Sequence, residues 1–148
     1  MPIKERIQTD LILAMKARET LRLSVLRMMK TAVTNKEIEN RKELDDRNVV
    51  AILNTLVRQR RDSAGQFRKG GRIELAEKEE IEIRVIETYL PPPATKQEIQ
   101  AAIESAISET GAKGPKDMGK VIKATMALIS GKTVDKTKVS SLIREKLQ

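Results

Sequence analysis

Tyr89-Leu90-Pro91-Pro92-Pro93-Ala94-Thr95-Lys96-Gln97-Glu98 is the stretch on which the reading of this chain turns. Three consecutive prolines cannot continue a helix, because each lacks a backbone N–H and each pushes the residue before it out of the α region. Directly after them, Thr95 and Glu98 stand at the spacing of a capping box, in which hydroxyl and carboxylate each satisfy a backbone N–H of a new helix. A stop, a stiff extended spacer and a fresh start predict a domain boundary. They divide the chain into a helical domain over 1–90, a proline-rich joint over 91–94 and a second domain over 95–148.

Upstream of the prolines, period and punctuation predict four helices. Ile3, Ile7, Leu11 and Ala14 line one face of a first helix from about Ile3 to Ala17. A second runs from about Thr20 to Lys36, with Leu21, Val25, Met28 and Ala32 as its stripe and Leu23, Leu26 and Val33 widening it. After a charged stretch in which Asp45 or Asp46 could act as N-cap, a third spans roughly Arg47 to Lys69 and stops at Gly70-Gly71. The fourth covers about Ile73 to Tyr89, so the third and fourth read as a long antiparallel hairpin. Arg58, Arg60, Arg61, Arg68 and Lys69 mark one arm, and Glu74, Glu77, Glu79, Glu80, Glu82 and Glu87 mark the other. Salt bridges between the arms on a solvated surface are the first reading of that pattern, and an RNA-facing basic arm is the alternative.

Downstream, three shorter amphipathic helices are predicted. The fifth carries Ile99, Ile103, Ala106 and Ile107 and ends before Gly111. The sixth opens with Pro115 in its first turn and carries Met118, Val121, Ile122, Met126 and Ile129. The seventh takes Asp135 as N-cap and presents Val139, Leu142, Ile143 and Leu147. The expected fold class is all-α, an amino-terminal helical domain with a long hairpin followed by a three-helix bundle.

Composition narrows function by exclusion. In 148 residues, Phe67 and Tyr89 are the only aromatic rings, and Cys, His and Trp are absent, so sheet folds, disulfides, thiolate metal sites and histidine general bases all drop out. The serines at 24, 63, 105, 108, 130, 140 and 141 do not lie in a nucleophile-elbow pattern and have no histidine to activate them. No catalytic residue, cofactor or metal is expected. No run approaches the roughly 18 apolar residues of a membrane-spanning helix. Met1-Pro2-Ile3-Lys4-Glu5-Arg6 mixes charges without a signal-peptide core, so a cytoplasmic protein is the simplest expectation, although a trimmed organellar protein would look the same.

The net charge of +8 makes polyanions the first partner class to consider. It concentrates between residues 113 and 138, where Lys113, Lys116, Lys120, Lys123, Lys132, Lys136 and Lys138 stand against Asp117 and Asp135. Gly111-Ala112-Lys113-Gly114-Pro115-Lys116 lacks the Walker pattern and follows no strand, but a helix opening beside lysines is suited to phosphate. Lys116, Lys120 and Lys123, four and three apart, share one helical face away from the apolar stripe. With no stacking platform, such a surface reads backbone and shape more than base sequence.

Lys116-Asp117-Met118-Gly119-Lys120-Val121, following Glu109-Thr110-Gly111-Ala112, resembles the GatB/YqeY family of stand-alone helical proteins and amidotransferase B-subunit tail domains. Leu21-Arg22-Leu23-Ser24-Val25-Leu26-Arg27-Met28, Gln59-Arg60-Arg61-Asp62-Ser63, Leu75-Ala76-Glu77-Lys78-Glu79-Glu80 and Tyr89-Leu90-Pro91 are similar to the stand-alone members. The resemblance implies a YqeY-type three-helix second domain, related to a tail that grips tRNA in the tRNA-dependent amidotransferase. It implies an accessory tRNA or structured-RNA-binding module in which Gly119 and Lys120 match the motif of the contacting helix; Lys113, Lys116 and Lys123 join them as expected contact residues from the lysine spacing read above. A glycine at 119 would equally serve close helix packing. Alternatives are an adaptor docking through the hairpin on a tRNA-modifying or aminoacylating enzyme, and a carbon–nitrogen ligase activity with glutamine as amide donor, for which the sequence offers no residues. Lys123 replaces a glycine common in relatives, Leu128 replaces a lysine, and Asp135-Lys136 replaces Asp-Gly, so positive charge is redistributed.

Overall fold

The first four helical periods appear in the computed structural model, which describes residues 1–129 and 131–148, as α1 (Ile3–Lys16), α2 (Thr20–Asn40), α3 (Asp46–Lys69) and α4 (Ile73–Glu87). They are followed by α5 (Lys96–Thr110), a 3-10 turn (Pro115–Asp117), α6 (Met118–Leu128) and α7 (Lys136–Leu147). Ser130, weighed above as a nucleophile, lies outside the described residues. The chain is all-α, and it divides into two compact units, Met1–Leu90 and Pro91–Gln148.

In the first unit, α1 buries the predicted Ile3, Ile7, Leu11 and Ala14. α2 differs from expectation in length and register. It continues to Asn40 because Glu37 is fastened on two sides, accepting the Lys4 Nζ at 2.6 Å and the Leu44 N–H at 2.9 Å. That pairing pushes the Lys4 amine up and, with the Leu44 bond, holds the Glu37 carboxyl down. The buried row is Val25, Leu26, Met29 and Val33, while Leu21 is exposed and Met28 only partly covered. A helix with apolar residues over so wide an arc leaves its exact contact line to its neighbours.

Asp45 and Asp46 serve two helices instead of competing for one. Asp45 accepts the Asn48 N–H at 2.9 Å and caps α3. Asp46 accepts the Ile3 N–H at 3.0 Å, giving α1 the acceptor that Pro2 cannot supply. At the hairpin turn Gly71 takes the left-handed conformation (φ +75), not Gly70 (φ −85), and the Arg72 N–H closes on the Phe67 carbonyl at 2.7 Å. α4 stops at Glu87, and Tyr89 turns inward, 2% exposed, donating its hydroxyl hydrogen bond to Asp10. Burial first, then the Asp10 bond and charge, push its phenol up to about 12.

The second unit packs Ala102, Ile103 and Ala106 of α5 against Val121, Ile129, Val139, Ile143 and Leu147. Thr95 accepts the Glu98 N–H at 3.1 Å, as the capping pattern requires, whereas the Glu98 carboxylate turns toward Lys132, 3.9 Å away. Asp135 caps α7 through the Thr137 N–H at 2.9 Å. The proline run is hydrogen-bonded within this unit. The Thr133 hydroxyl donates to the Pro91 carbonyl at 2.7 Å, the Thr133 N–H donates to the Pro92 carbonyl at 3.0 Å, and the Ala94 N–H donates to the Thr133 carbonyl at 2.9 Å. Prolines have no N–H to offer, but their carbonyls accept normally, which makes an extended proline segment a one-sided strand.

Candidate nucleic-acid interface

The lysine stretch begins where α5 ends at Gly111, whose left-handed backbone (φ 65) turns the chain out of the helix. Lys113 stands in the following loop, and its N–H donates to the Asp117 carboxylate at 3.1 Å. Lys116 lies on the 3-10 turn and not on α6, so the single helical ridge expected for Lys116, Lys120 and Lys123 is broken between its first two members. Pro115 explains the break, since it fits the first turn of a helix but offers no N–H to bind the chain before it. Asp117 also puts a carboxylate at the amino end of α6. The lysine side chains, more than the helix end, are left to meet an anion there.

α6 turns Val121 and Thr125 to the core. Gly119, Lys120, Lys123, Ala127 and Leu128 are exposed. At 100° per residue, Lys120, Lys123 and Ala127 share the face opposite the buried residues, with Gly119 beside them. Lys113, Lys116, Lys120 and Lys123 are all exposed, and none stands at ion-pair distance from a carboxylate among the described residues. Lys132 and Lys146 differ, lying 3.9 Å from Glu98 and 3.0 Å from Glu104. A Cβ added at Gly119 would meet nothing within 4 Å, so close helix packing is not what a glycine does at this position. Small Gly119 and Ala127 leave the backbone between the lysines open to approach. Ala127 was missed in the sequence because it carries no chemistry of its own.

The hairpin cations are placed differently. Arg60, 15% exposed, lies 3.4 Å from Glu82 and also donates to the Leu56 carbonyl at 3.2 Å. Arg61 pairs with Glu87 at 3.4 Å and Arg68 with Glu80 at 2.6 Å. The inter-arm salt bridges expected from the sequence are therefore present.

Comparison with known proteins gives a consistent picture. The family described as "Yqey-like protein" matches residues 4–147. A protein of Lachancea thermotolerans named "Altered inheritance of mitochondria protein 41, mitochondrial" is 35% identical over 112 residues, 74% of this chain and 60% of the relative. Its namesake in Vanderwaltozyma polyspora is 35% identical over 106 residues, 70% and 57% of the two chains. That of Pyrenophora tritici-repentis is 27% identical over 142 residues, 95% and 78%. The chain thus spans less than two thirds of the first two relatives. The expectation of a cytoplasmic protein is corrected by these names, each of which is that of a mitochondrial protein; the organellar alternative is the one they favour.

Proposed function

The chain belongs to the Yqey-like protein family, and from that premise we propose that it is a non-catalytic accessory RNA-binding module that contacts the phosphate backbone of tRNA or a tRNA-like RNA. The observation that carries the reading is the group of exposed lysines at 113, 116, 120 and 123 that have no carboxylate partner among the described residues. Unpaired ammonium groups on flexible stems suit irregular phosphate spacing, and releasing counterions from the RNA drives such contacts. The compartment carried over from the relatives' names is the mitochondrion.

Binding of unfractionated tRNA at several salt concentrations tests the proposal. A phosphate-led contact weakens steeply as salt rises, with log affinity linear in log salt. Weak, salt-insensitive binding would refute it.

A second reading, an adaptor for a tRNA-modifying or aminoacylating enzyme, draws support from Ile73, Leu75 and Ile81, which α4 leaves exposed. Capture of such an enzyme that survives nuclease treatment and is lost in Ile81→Glu would favour it over the RNA contact.

A further inference from the structure

The first unit carries unneutralised positive charge of its own. The outward side of α2 presents Ser24, Arg27, Thr31, Thr34 and Ile38 in one row, with Lys30 on its flank, and all six are exposed. No carboxylate stands in this row. The acids of α2 and its N-cap are turned elsewhere: Glu19 lies 3.9 Å from Arg22, Glu37 binds Lys4, and Glu39 lies 3.5 Å from Lys36. Among the described residues neither Arg27 nor Lys30 has a carboxylate at ion-pair distance.

Two further arginines bracket the helix. Arg18, just before α2, and Arg41, at its C-cap, hold the left-handed backbone at φ 57 and φ 54, where glycine or asparagine is the unstrained choice. Both side chains are exposed. Strain retained at both ends of one helix, each time under an arginine, is the kind of outlier from which a functional role is argued. On the neighbouring face of α2 lies an open groove of about 540 Å³ between α2 and α3, lined by Asn35, Lys36, Glu39, Asn40, Asn48 and Thr55 among others, where Glu39 is the carboxylate that Lys36 approaches. On the opposite flank Glu5 of α1 shares a cleft with Lys30 and Thr34, so Arg27 and Thr31 mark the middle of the surface.

Arginine, lysine, hydroxyl and amide groups are the donors that proteins aim at phosphate and sugar oxygens. Ile38 is the one large apolar side chain in the row, which leaves little to bury against a protein core or a lipid layer. We propose that the exposed face of α2, with Arg27 at its centre, is a second contact for the sugar–phosphate backbone of a structured RNA. Each unit then carries its own phosphate-binding face. This inference rests on the RNA-binding reading but uses none of the lysines that reading invokes.

The test uses the full chain and fluorescent unfractionated tRNA, with circular dichroism to confirm folding. Arg27→Gln with Lys30→Gln is expected to weaken binding about tenfold at low salt and to reduce the slope of log affinity against log salt by roughly 1.5, about 0.7–0.9 per charge removed. Arg27→Lys with Lys30→Arg keeps both charges and is expected to keep the slope. Lys120→Gln with Lys123→Gln should weaken binding independently, and the two losses should multiply. Wild-type affinity and slope in the α2 variant would overturn the inference, as would loss of protein capture, with tRNA affinity unchanged, in that variant. Failure of the native chain to bind tRNA would overturn this inference and the lysine reading together. An α2 variant that loses binding beside a lysine variant that does not would overturn the lysine reading alone.

Discussion

The α3–α4 hairpin and the Lys113–Lys123 stretch both carry clustered cations, and they use them in opposite ways. On the hairpin the cations are mostly arginines, and three of them reach across to glutamates of the facing helix. In the second unit the cations from 96 to 138 are lysines only, and those at 113 to 123 face solvent without partners among the described residues. The planar, forked guanidinium suits fixed pairing, whereas the ammonium is a mobile point charge. A cluster of cations alone therefore does not locate a polyanion site; whether each cation is neutralised does.

The strongest way to break this comparison is to reverse charge in both regions. Lys116→Glu, Lys120→Glu and Lys123→Glu together are expected to weaken tRNA binding on the order of 100-fold at low salt, measured by fluorescence anisotropy. Arg61→Glu with Arg68→Glu, on the hairpin, should change it no more than about twofold. Equal losses would show that pairing does not distinguish the two surfaces.

Within the hairpin, burial should grade the pairs. Glu82→Ala strands the largely buried Arg60 guanidinium and is expected to cost about 2–3 kcal/mol in urea unfolding, while Glu87→Ala, at the exposed Arg61 pair, should cost about 0–0.5 kcal/mol.

Tyr89→Phe removes the hydroxyl bound to Asp10 and should destabilise the first unit by about 1–2 kcal/mol without touching the second. Because burial first, and Asp10 second, push the folded phenol up to about 12 against about 10 when unfolded, the stability contributed by the buried neutral phenol is fully present below pH 10 and is lost as pH rises from 10 through 12. Ultraviolet absorbance reads this titration directly, since Tyr89 is the only tyrosine. The smallest effect is expected at Thr125→Val. Its hydroxyl is fully buried without a hydrogen-bond partner among the described residues, so the substitution should stabilise the second unit by up to about 1 kcal/mol.

The sequence was most legible where a residue type acts alone. Prolines, the Thr95 and Asp135 caps, the apolar rows of α1 and α5 and the opposite charges of the hairpin arms were readable because each follows from local backbone chemistry. What stayed hidden depends on partners distant in sequence. Asp46 caps a helix 43 residues away, Glu37 lengthens α2 by joining Lys4, and Thr133 binds the proline run. At the candidate site the lysines were visible as a group, but Pro115 and Asp117 reshape the turn that carries Lys113 and Lys116. The α2 face escaped notice because its signal is a missing acid, which becomes visible only when each glutamate's partner is known.

The two bonds that close the units also set an order in time. Tyr89 meets Asp10 across 79 positions of sequence, so the first unit has its last closing residue only when synthesis has reached the prolines. The carbonyl of Pro91 then waits for Thr133, 42 residues later. A growing chain thus completes one set of contacts just before the proline run and cannot pin that run until most of the second set has been made. With amino-terminal units folding first as they emerge, the prolines act as punctuation between two successive folding events, and pausing synthesis once Tyr89 has emerged from the ribosome but before Thr133 has should leave the first unit native and protease-resistant.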